Sequence, residues 1–299
     1  MPHKNTGYID LHLHSSCSDG IFSPGEIVAL AAEHGLAAIA LADHDTVAGV
    51  IPAITAAAGS GVEVIPAVEL SVQFKSWSDV HLLGYGIDVT DEVFLSHLNS
   101  FRIRREQRNL EILQRVNALL AGSGLSIITP GEVARFARDT IGRPHIARAL
   151  IERRFASSVE DAFRRYLVPC NVPKQYWPIN DAIGEIHRTG GIAVLAHPTS
   201  VSTDRQELED IIRELAAIGL DGIEVFNNMA HADEMEFLRR IAGQEKLLIT
   251  GGSDFHGIEA GIEPGKGRGG IRFSTALLPA VSTRIRKRRV SSGLCMPCN

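Results

Sequence analysis

The sequence predicts an α/β fold, because short apolar runs alternate along the 299 residues with segments of helical periodicity. Most segments between these runs have the length and end signals of helices. One long stretch interrupts the alternation and carries helical patterns only. The alternation indicates a mostly parallel sheet, and the interruption indicates an inserted helical subdomain.

The predicted strands are short and rich in aliphatic residues. They are residues 8–14, 36–42, 62–70, 80–87, 191–197, 221–227 and 247–254. The helix after the first strand has the clearest boundaries, since Ser23 suits the N-cap, Pro24 the first helical position and Gly35 the position after the helix. Glu26 completes a capping box with Ser23.

The alternation stops between the fourth and fifth strands, where residues 92–178 read as helices only and include a long amphipathic stretch from about Asp91 to Leu120. We therefore predict an α/β domain in two parts, residues 1–91 and 179–257, with an inserted helical subdomain at 92–178. Beyond about Gly257 the periodic signals fade. We expect residues 258–299 to form a loop-like, poorly ordered tail.

The charge is unevenly distributed. The formal net charge is -5, but residues 101–178 hold fourteen Lys/Arg against seven Asp/Glu, which leaves about -12 for the rest of the chain. An anionic substrate would suit this basic subdomain, although solvated helix faces account for the same excess equally well.

Targeting signals and disulfides are not apparent in the sequence. No run approaches the roughly 18 to 20 apolar residues of a membrane span, and the first residues lack the apolar stretch of a secretory signal. We therefore expect a cytoplasmic protein without a membrane partner. Cys17, Cys170, Cys295 and Cys298 are too few for a disulfide framework, so thiols are expected, and the last two form a CxxC without further ligands nearby.

A set of histidines and acids falls at the ends of the predicted strands. Asp10, His12 and His14 alternate along the first strand and therefore share one face. Six further candidates end a strand or follow one closely: Asp19, His44, Glu69, His197, Asp254 and His256. In (β/α) barrels this end of the strands carries the active site.

His81 is an exception, because it lies near the start of its predicted strand. Either that strand is antiparallel or displaced, or His81 is the weakest member of the set. Imidazole and carboxylate suit zinc, manganese or iron, and the set exceeds the needs of one ion, so we predict two or three divalent ions. The candidate ligands are His12, His14, Asp19, His44, Glu69, His81, His197, Asp254 and His256.

Several segments resemble the polymerase and histidinol phosphatase (PHP) family. They are DLHLHSSCSDG, ALADHDT, PAVELS, VHLLGYG, GRPHIA, VLAHP, GIEVFN and GSDFHG, and they span residues 10–257. The resemblance implies a distorted seven-stranded (β/α) barrel and a trinuclear site of manganese, iron or zinc, often manganese, at the nine positions above. The tail from about Ile258 has no match to the family.

The helical insertion with GRPHIA resembles the branch of stand-alone nucleotide phosphatases. The resemblance implies removal of the 3′-phosphate from nucleoside 3′,5′-bisphosphates, such as the adenosine compound, by metal-activated hydroxide. We expect His44 or Asp19 to assist proton transfer at the leaving oxygen. The expected partner is a nucleotide bisphosphate or a short oligonucleotide, and no obligate protein partner is evident.

Arginines of the insertion are candidates for the second phosphate, because a guanidinium binds phosphate through two parallel hydrogen bonds. For most of them a solvated helix face is an equally good interpretation. Glu224 and Asn227 end the sixth strand, where they could support the site or the fold. The predicted substrate-binding residues are Arg104, Arg105, Arg108, Arg143, His145, Lys174 and Asn227.

Three alternatives remain open from the sequence. Related family members trim short RNA from the 5′ end, so a 5′-to-3′ exoribonuclease is one of them. An amidohydrolase-like C–N hydrolase is another, because such barrels also begin with HxH and end with a strand-end Asp. A binding module that keeps metal as a structural element is the third, and the complete ligand set argues against it.

Overall fold

The computed structural model describes residues 7–136 and 142–293. Within them one mixed sheet and many helices are present, which confirms the predicted α/β class. The strands are β1 (Tyr8–Leu13), β2 (Ala38–Leu41), β3 (Glu63–Phe74), β4 (Trp77–Tyr85), β5 (Trp177–Pro178), β6 (Ile192–Leu195), β7 (Gly222–Phe226), β8 (Leu248–Gly251) and β9 (Phe273–Ser274).

The helices follow the predicted alternation outside the insertion. They are α1 (Pro24–Glu33), α2 (Val50–Ala57), α3 (Glu92–Gly122), α4 (Pro130–Ala134), α5 (Arg143–Glu152), α6 (Val159–Ala162), α7 (Ile179–Arg188), α8 (Arg205–Ala217), α9 (Ala232–Glu245) and α10 (Leu278–Ser291). The capping box of α1 is present as predicted between Ser23 and Glu26, and Gly35 follows the helix with φ of +68°. A π-helical turn, Phe163–Leu167, follows α6.

The sheet forms a nearly closed, distorted barrel. Its strand order is β8-β7-β6-β4-β3-β2-β1-β9, and β5 pairs with β3. Phe255, just beyond β8, makes a parallel bridge to Leu13 of β1 and so nearly joins the two ends. The barrel implied by the family resemblance is therefore confirmed.

Strand β4 explains the exceptional position of His81. A tight turn at Lys75, with φ of +52°, joins β3 to β4, so β4 runs antiparallel to β3 and also to β6. The first half of an antiparallel strand lies where its neighbours end. His81 is therefore at the same end of the sheet as the other candidates, as the antiparallel alternative predicted.

Both faces of β2 are buried. Ala38 and Ala40 belong to an apolar cluster that includes Val281 of α10, while Ile39 and Leu41 belong to a second cluster with residues of α1. A strand covered on both sides reads as a continuous apolar run, and this explains the sequence of β2.

The expected loop-like tail is wrong for residues 273–291, which form β9, a 3₁₀ turn and α10. Phe273 of β9 pairs with Ile9 of β1, and α10 buries Val281 completely. Arg284 and Arg288 of α10 bind the buried carboxylate of Asp221 at 3.1 and 2.8 Å. The apolar periodicity of α10 is weak in the sequence because this helix is held by ion pairs in addition to apolar contacts. Residues 294–299, with Cys295 and Cys298, lie outside the described residues.

The chain divides into two compact units. One contains Met1–Leu95 and Tyr176–Asn299, and the other contains Ser96–Gln175. The second unit has an apolar core of its own, in which Val116 of α3 and Leu150 of α5 are fully buried. Among the helices of the described residues, none combines the length and the apolar character needed to cross a membrane.

Candidate metal centre

The ends of the strands bring the predicted ligands together. His12 lies on β1 and His14 directly follows it, while Glu69 lies on β3. His44 continues β2 far enough to form a parallel bridge with Glu69. The remaining members lie on β4, on the loop after β1, or just beyond β6 and β8: His81, Asp19, His197, Asp254 and His256.

The carboxylate of Glu69 is fully buried among imidazole rings. Its oxygens lie 3.0 to 3.3 Å from ring nitrogens of five histidines: Oε2 faces His12, His14 and His44, and Oε1 faces His81 and His197. A carboxylate can use its two oxygens for two different ions. Glu69 is therefore placed to be shared between metal sites.

The other two acids lie nearer the surface. Asp254 Oδ1 is 3.1 Å from Nε2 of His14, and Asp19 Oδ1 is 3.3 Å from Nε2 of His256. Asp19 Oδ2 is 3.7 Å from Nε2 of His44. The side chain of Asp19 is 55% exposed and that of Asp254 is 19% exposed, so Asp19 is the acid that solvent or substrate reaches most easily.

Three overlapping groups of donors have their ligand atoms within 4.8 Å of one another in the described residues. Each pair of groups has one residue in common, namely His14, His44 or Glu69. Such sharing is the arrangement expected for neighbouring ions held together. The groups are His12, His14, Glu69 and Asp254; His14, Asp19, His44 and His256; and His44, Glu69 and His81.

Several donor atoms of these groups are buried and lack a hydrogen-bond partner within the described part of the chain. They are Nε2 of His12, both ring nitrogens of His14, Nδ1 of His44 and Oε2 of Glu69. A buried polar atom without a partner is costly, and a cation is one of the groups that can satisfy it. The residues present therefore fit divalent metal ions.

The electrostatics of the cluster keep its acids ionised. Burial acts to raise the pKa of Glu69, but His44 and His81 outweigh it and hold this pKa well below its usual range. Burial also lowers the pKa of His44 to about 4, whereas Glu69 overcomes the burial of His81 and raises its pKa to about 10. An ionised acid is the form that binds a cation.

Two members of the cluster have unusual backbone conformations. His197 has φ of +26° and Asp254 has φ of +52°, in the region that residues other than glycine rarely adopt. The backbone N–H of His197 donates to Oε2 of Glu224 at 2.9 Å, which helps to hold the turn after β6. Such strain is concentrated at functional sites, because there the surrounding structure maintains it.

Known protein families share these motifs. The model of the PHP domain matches residues 10–167, which is more than half of the chain. The chain belongs to the PHP family. Over 277 residues it is 34% identical to the 3′,5′-nucleoside bisphosphate phosphatase of Chromobacterium violaceum, with 91% of this chain and 93% of that protein covered.

One further relative and one solved structure match most of the chain. It is 35% identical over 263 residues to a 5′-3′ exoribonuclease of Haemophilus influenzae, with 86% of this chain and 93% of that protein covered. A solved structure of a candidate metal-dependent phosphoesterase from Bifidobacterium adolescentis matches with a TM-score of 0.76 and 28% identity, over 92% of this chain and 96% of that one.

Family membership makes this PHP protein a metal-dependent hydrolase of phosphoester bonds, and the predicted phosphoesterase class is confirmed. Both relatives named above act on phosphate esters by their names, which favours this class over the C–N hydrolase alternative. A solved structure from Chromobacterium violaceum that is named an amidohydrolase also matches, with a TM-score of 0.75 and 31% identity over 93% of this chain and 96% of that one. Divalent metals follow from the same family and from the donor groups.

The PHP site also contains a buried acid that the sequence analysis missed. Asp43 accepts hydrogen bonds from the backbone N–H and the hydroxyl of Ser15 and from the hydroxyl of Ser18, each at 2.7 Å. These contacts hold the loop that carries Asp19. The signal in the sequence is an acid directly before His44, at the end of an apolar run.

Asp10 is a second buried acid that holds the backbone near the predicted ligands. It is fully buried and accepts from the backbone N–H groups of His12, Ser253 and Gly265 at 3.2, 2.9 and 2.7 Å. Burial raises its pKa to about 6, although these hydrogen bonds act against the rise. Sequence alternation placed Asp10 on the face of the ligands but gave no reason for its role.

Six of the predicted substrate-binding residues lie in the helical unit. Arg108 donates to Oδ1 of Asn171 at 3.0 Å and to the carbonyl of Val172 at 2.7 Å, and Arg143 approaches Asn171 Oδ1 at 3.4 Å. Arg104 stacks on the ring of Phe101 at 4.3 Å. Two guanidinium groups thus converge on one neutral side chain.

The other predicted substrate-binding residues differ in burial and in hydrogen bonding. Arg105 and Lys174 are half-buried. Nδ1 of His145 accepts the N–H of Gly142 at 2.9 Å and caps the start of α5. Asn227, in the barrel unit, is buried; its side-chain NH₂ donates to the carbonyl of Glu224 on β7, and its Oδ1 accepts the backbone N–H groups of Met229 and Ala230 in the loop that follows. For Asn227 the geometry supports a loop-organising role, and its contact with substrate stays a prediction.

Proposed function

We propose that this protein removes the 3′-phosphate from nucleoside 3′,5′-bisphosphates, such as adenosine 3′,5′-bisphosphate. The observation that carries the proposal is the set of three overlapping donor groups, in which each pair shares one residue. The similarity to a bisphosphate phosphatase over 91% of the chain supports the choice of substrate.

The proposed ligands are the nine strand-end residues named above, and they would hold two or three divalent ions. Each donor group offers three or four atoms of the imidazole and carboxylate types that manganese, iron and zinc accept. His197 stands outside the three groups but lies 3.1 Å from Oε1 of Glu69. We assign it to the ion nearest that oxygen, with manganese as the first metal to test.

Metal ions bound here would neutralise charge on the phosphate oxygens and lower the pKa of a bound water. In the hydrolysis, the oxygen of water forms a bond to phosphorus while the bond from phosphorus to the 3′ oxygen breaks. The 3′ oxygen takes up a proton, and the products are the nucleoside 5′-monophosphate and phosphate. Asp19 and His44 are the proposed proton-transfer residues, because they lie side by side and Asp19 is the most exposed acid of the cluster.

A second candidate function is 5′-to-3′ hydrolysis of short RNA. It is supported by the similarity to an exoribonuclease over 86% of the chain. The excess of basic residues in the helical unit also suits a polyanionic strand. Under either function, Arg104, Arg105, Arg108 and Arg143 are proposed to bind the phosphates that are not cleaved, together with His145 and Lys174.

The test uses the full chain, its metal content and its products. Phosphate release from adenosine 3′,5′-bisphosphate is measured with added Mn²⁺, and the nucleotide product is identified as the 5′- or the 3′-monophosphate. We expect the 5′-monophosphate, with activity falling to background in His12→Ala and after chelation. His231→Ala, which changes an exposed histidine outside the three donor groups, is the matched control and should retain activity.

A length series separates the two candidates. The same protein is given 5′-phosphorylated oligoribonucleotides of two to ten nucleotides alongside the bisphosphate. Faster turnover of the bisphosphate than of every oligonucleotide supports the phosphatase, whereas a rate that rises with length supports the exoribonuclease. A metal-loaded protein that hydrolyses neither substrate contradicts both.

A further inference from the structure

Glu224 is a buried acid on β7 that belongs to none of the three donor groups. We propose that it is a positioning residue of the metal centre, which fixes the proton of His12 on Nδ1 and holds the backbone of His197. The inference rests on the proposed function, because it assigns Glu224 a role toward two ligands named there. It concerns hydrogen bonds of this chain that can be measured without turnover.

The first contact is with the ring of His12. Oε1 of Glu224 lies 3.0 Å from Nδ1 of His12, and both side chains are fully buried. An ionised carboxylate only accepts hydrogen bonds, so Nδ1 must be the nitrogen that donates. The lone pair of a neutral His12 is then on Nε2, which faces Glu69 and Asp254 at 3.3 and 3.5 Å.

The second contact is with the backbone after β6. Oε2 of Glu224 accepts the N–H of His197 at 2.9 Å, and this residue has φ of +26°. The ring of His197 is fixed as well, since its Nδ1 lies 2.8 Å from the hydroxyl of Ser200 and its Nε2 lies 3.1 Å from Glu69. One carboxylate therefore holds two proposed ligands, one by its side chain and one by its main chain.

Both contacts need an acceptor, and only a carboxylate provides two. In Glu224→Gln one of the two oxygens becomes an NH₂ group, which can only donate. If the NH₂ faces His197, two donors meet. If it faces His12, the ring must move its proton to Nε2 and so block the nitrogen that points at the ligand cluster. Neither orientation of the amide preserves the site.

A matched control lies directly before the same strand. Asp221, just before β7, is also buried and also accepts from one imidazole and one backbone N–H, at 2.8 Å from His187 and 3.0 Å from Ala193. In Asp221 both of these contacts are made by Oδ2, while Arg284 and Arg288 bind Oδ1, so Asp221→Asn sets its NH₂ group against donors as well, but away from the proposed ligands. It reports what loss of a buried carboxylate does to the fold alone.

The first measurement is calorimetric titration of the metal-free, full-length protein with Mn²⁺ alone. For Glu224→Gln we expect Mn²⁺ affinity to fall by roughly 10- to 100-fold at one or more sites. Asp221→Asn should stay within about 3-fold of wild type, a difference close to the usual spread of such effects. Equal Mn²⁺ affinity in wild type and Glu224→Gln would overturn the inference and leave the proposed metal centre standing. A wild type that binds no Mn²⁺ would overturn the metal centre and this inference with it.

The second measurement needs no variant of Glu224 to fold. Histidine ring nitrogens are observed by ¹⁵N NMR in the zinc-loaded protein, and the signal of His12 is assigned by its loss in His12→Asn. We expect a proton on Nδ1 and zinc on Nε2 of His12 in wild type. A wild-type His12 with its proton on Nε2 would sink the proposal.

Discussion

Asp221 lies directly before β7 and Glu224 lies in the middle of this strand, and both are buried acids that contact a histidine and a backbone N–H. Around Asp221 both carboxylate oxygens have partners within the fold. Arg284 and Arg288 also bind this carboxylate and bring it two positive charges. Around Glu224, His12 keeps a second ring nitrogen that has no hydrogen-bond partner among the described residues.

The difference shows how a structural acid is distinguished from one that serves a site. Both residues are buried carboxylic acids, so neither the acidic group nor its burial separates them. What separates them is whether every polar atom of the surrounding network is satisfied within the described chain. At the metal centre five donor atoms are left over, and they face one another.

The largest effect is expected at Glu69, which lies between five histidines. Glu69→Gln should remove the negative charge shared by the donor groups and reduce the bound Mn²⁺ to less than half of the wild-type complement, because carboxylate oxygens are the ligands able to bridge ions. Phosphate release should fall to background. Metal is counted by mass spectrometry after dialysis, with Asp221→Asn as the control that retains wild-type metal. Full metal occupancy in Glu69→Gln would show that the leftover donors are not the ligands.

The next effect is expected at Asp221, whose carboxylate has hydrogen-bond partners on both oxygens. Asp221→Ala should lower the free energy of unfolding by about 3 kcal/mol, since it removes the acceptor of a buried network and leaves His187 and two arginines without it. The Mn²⁺ affinity of the folded protein should not change. Urea unfolding and metal titration measure the two quantities separately. A variant with wild-type stability and weakened Mn²⁺ binding would reverse the roles assigned to the two acids.

Much of the candidate site could be predicted from the sequence, because its ligands obey local rules. The alternation of His12 and His14 and the positions after apolar runs depend on strand geometry, which a short segment determines by itself. The position of His81 could not be predicted without the direction of β4. That direction depends on a tight turn at Lys75, between two strands that are longer in the structure than the sequence indicates.

The supporting residues could not be predicted in the same way. Asp43 holds Ser15 and Ser18 from 25 to 28 positions away, and Glu224 meets His12 across 212 positions. Such pairs depend on the closed sheet and leave no periodic trace in the chain. Helix α10 escaped prediction for a related reason, because its arginines bind Asp221, more than 60 positions earlier.

The smallest effect is expected at the partly exposed ion pair between Asp91 and Arg188. Arg188 binds Asp91 through two hydrogen bonds at 2.6 and 2.8 Å, and this contact lowers the pKa of Asp91 to about 2. Asp91 also accepts the N–H of Phe94 at the start of α3, a role that asparagine fills equally well. Asp91→Asn therefore removes the charge and keeps the cap.

Because the folded pKa of Asp91 lies below its usual value, its contribution is complete above about pH 4 and is lost as the pH falls toward about 2. At pH 7 we expect Asp91→Asn to be less stable than wild type by about 1 kcal/mol or less, since Arg188 is 38% exposed and solvent screens the pair. The difference should shrink at pH 3 and in 1 M salt, as urea unfolding at each condition would show. A gap that stays constant with pH would mean that the charge of Asp91 is not what stabilises the start of α3. Any loss of Mn²⁺ affinity would mean that this ion pair, although it leaves no donor atom over, also supports the metal centre.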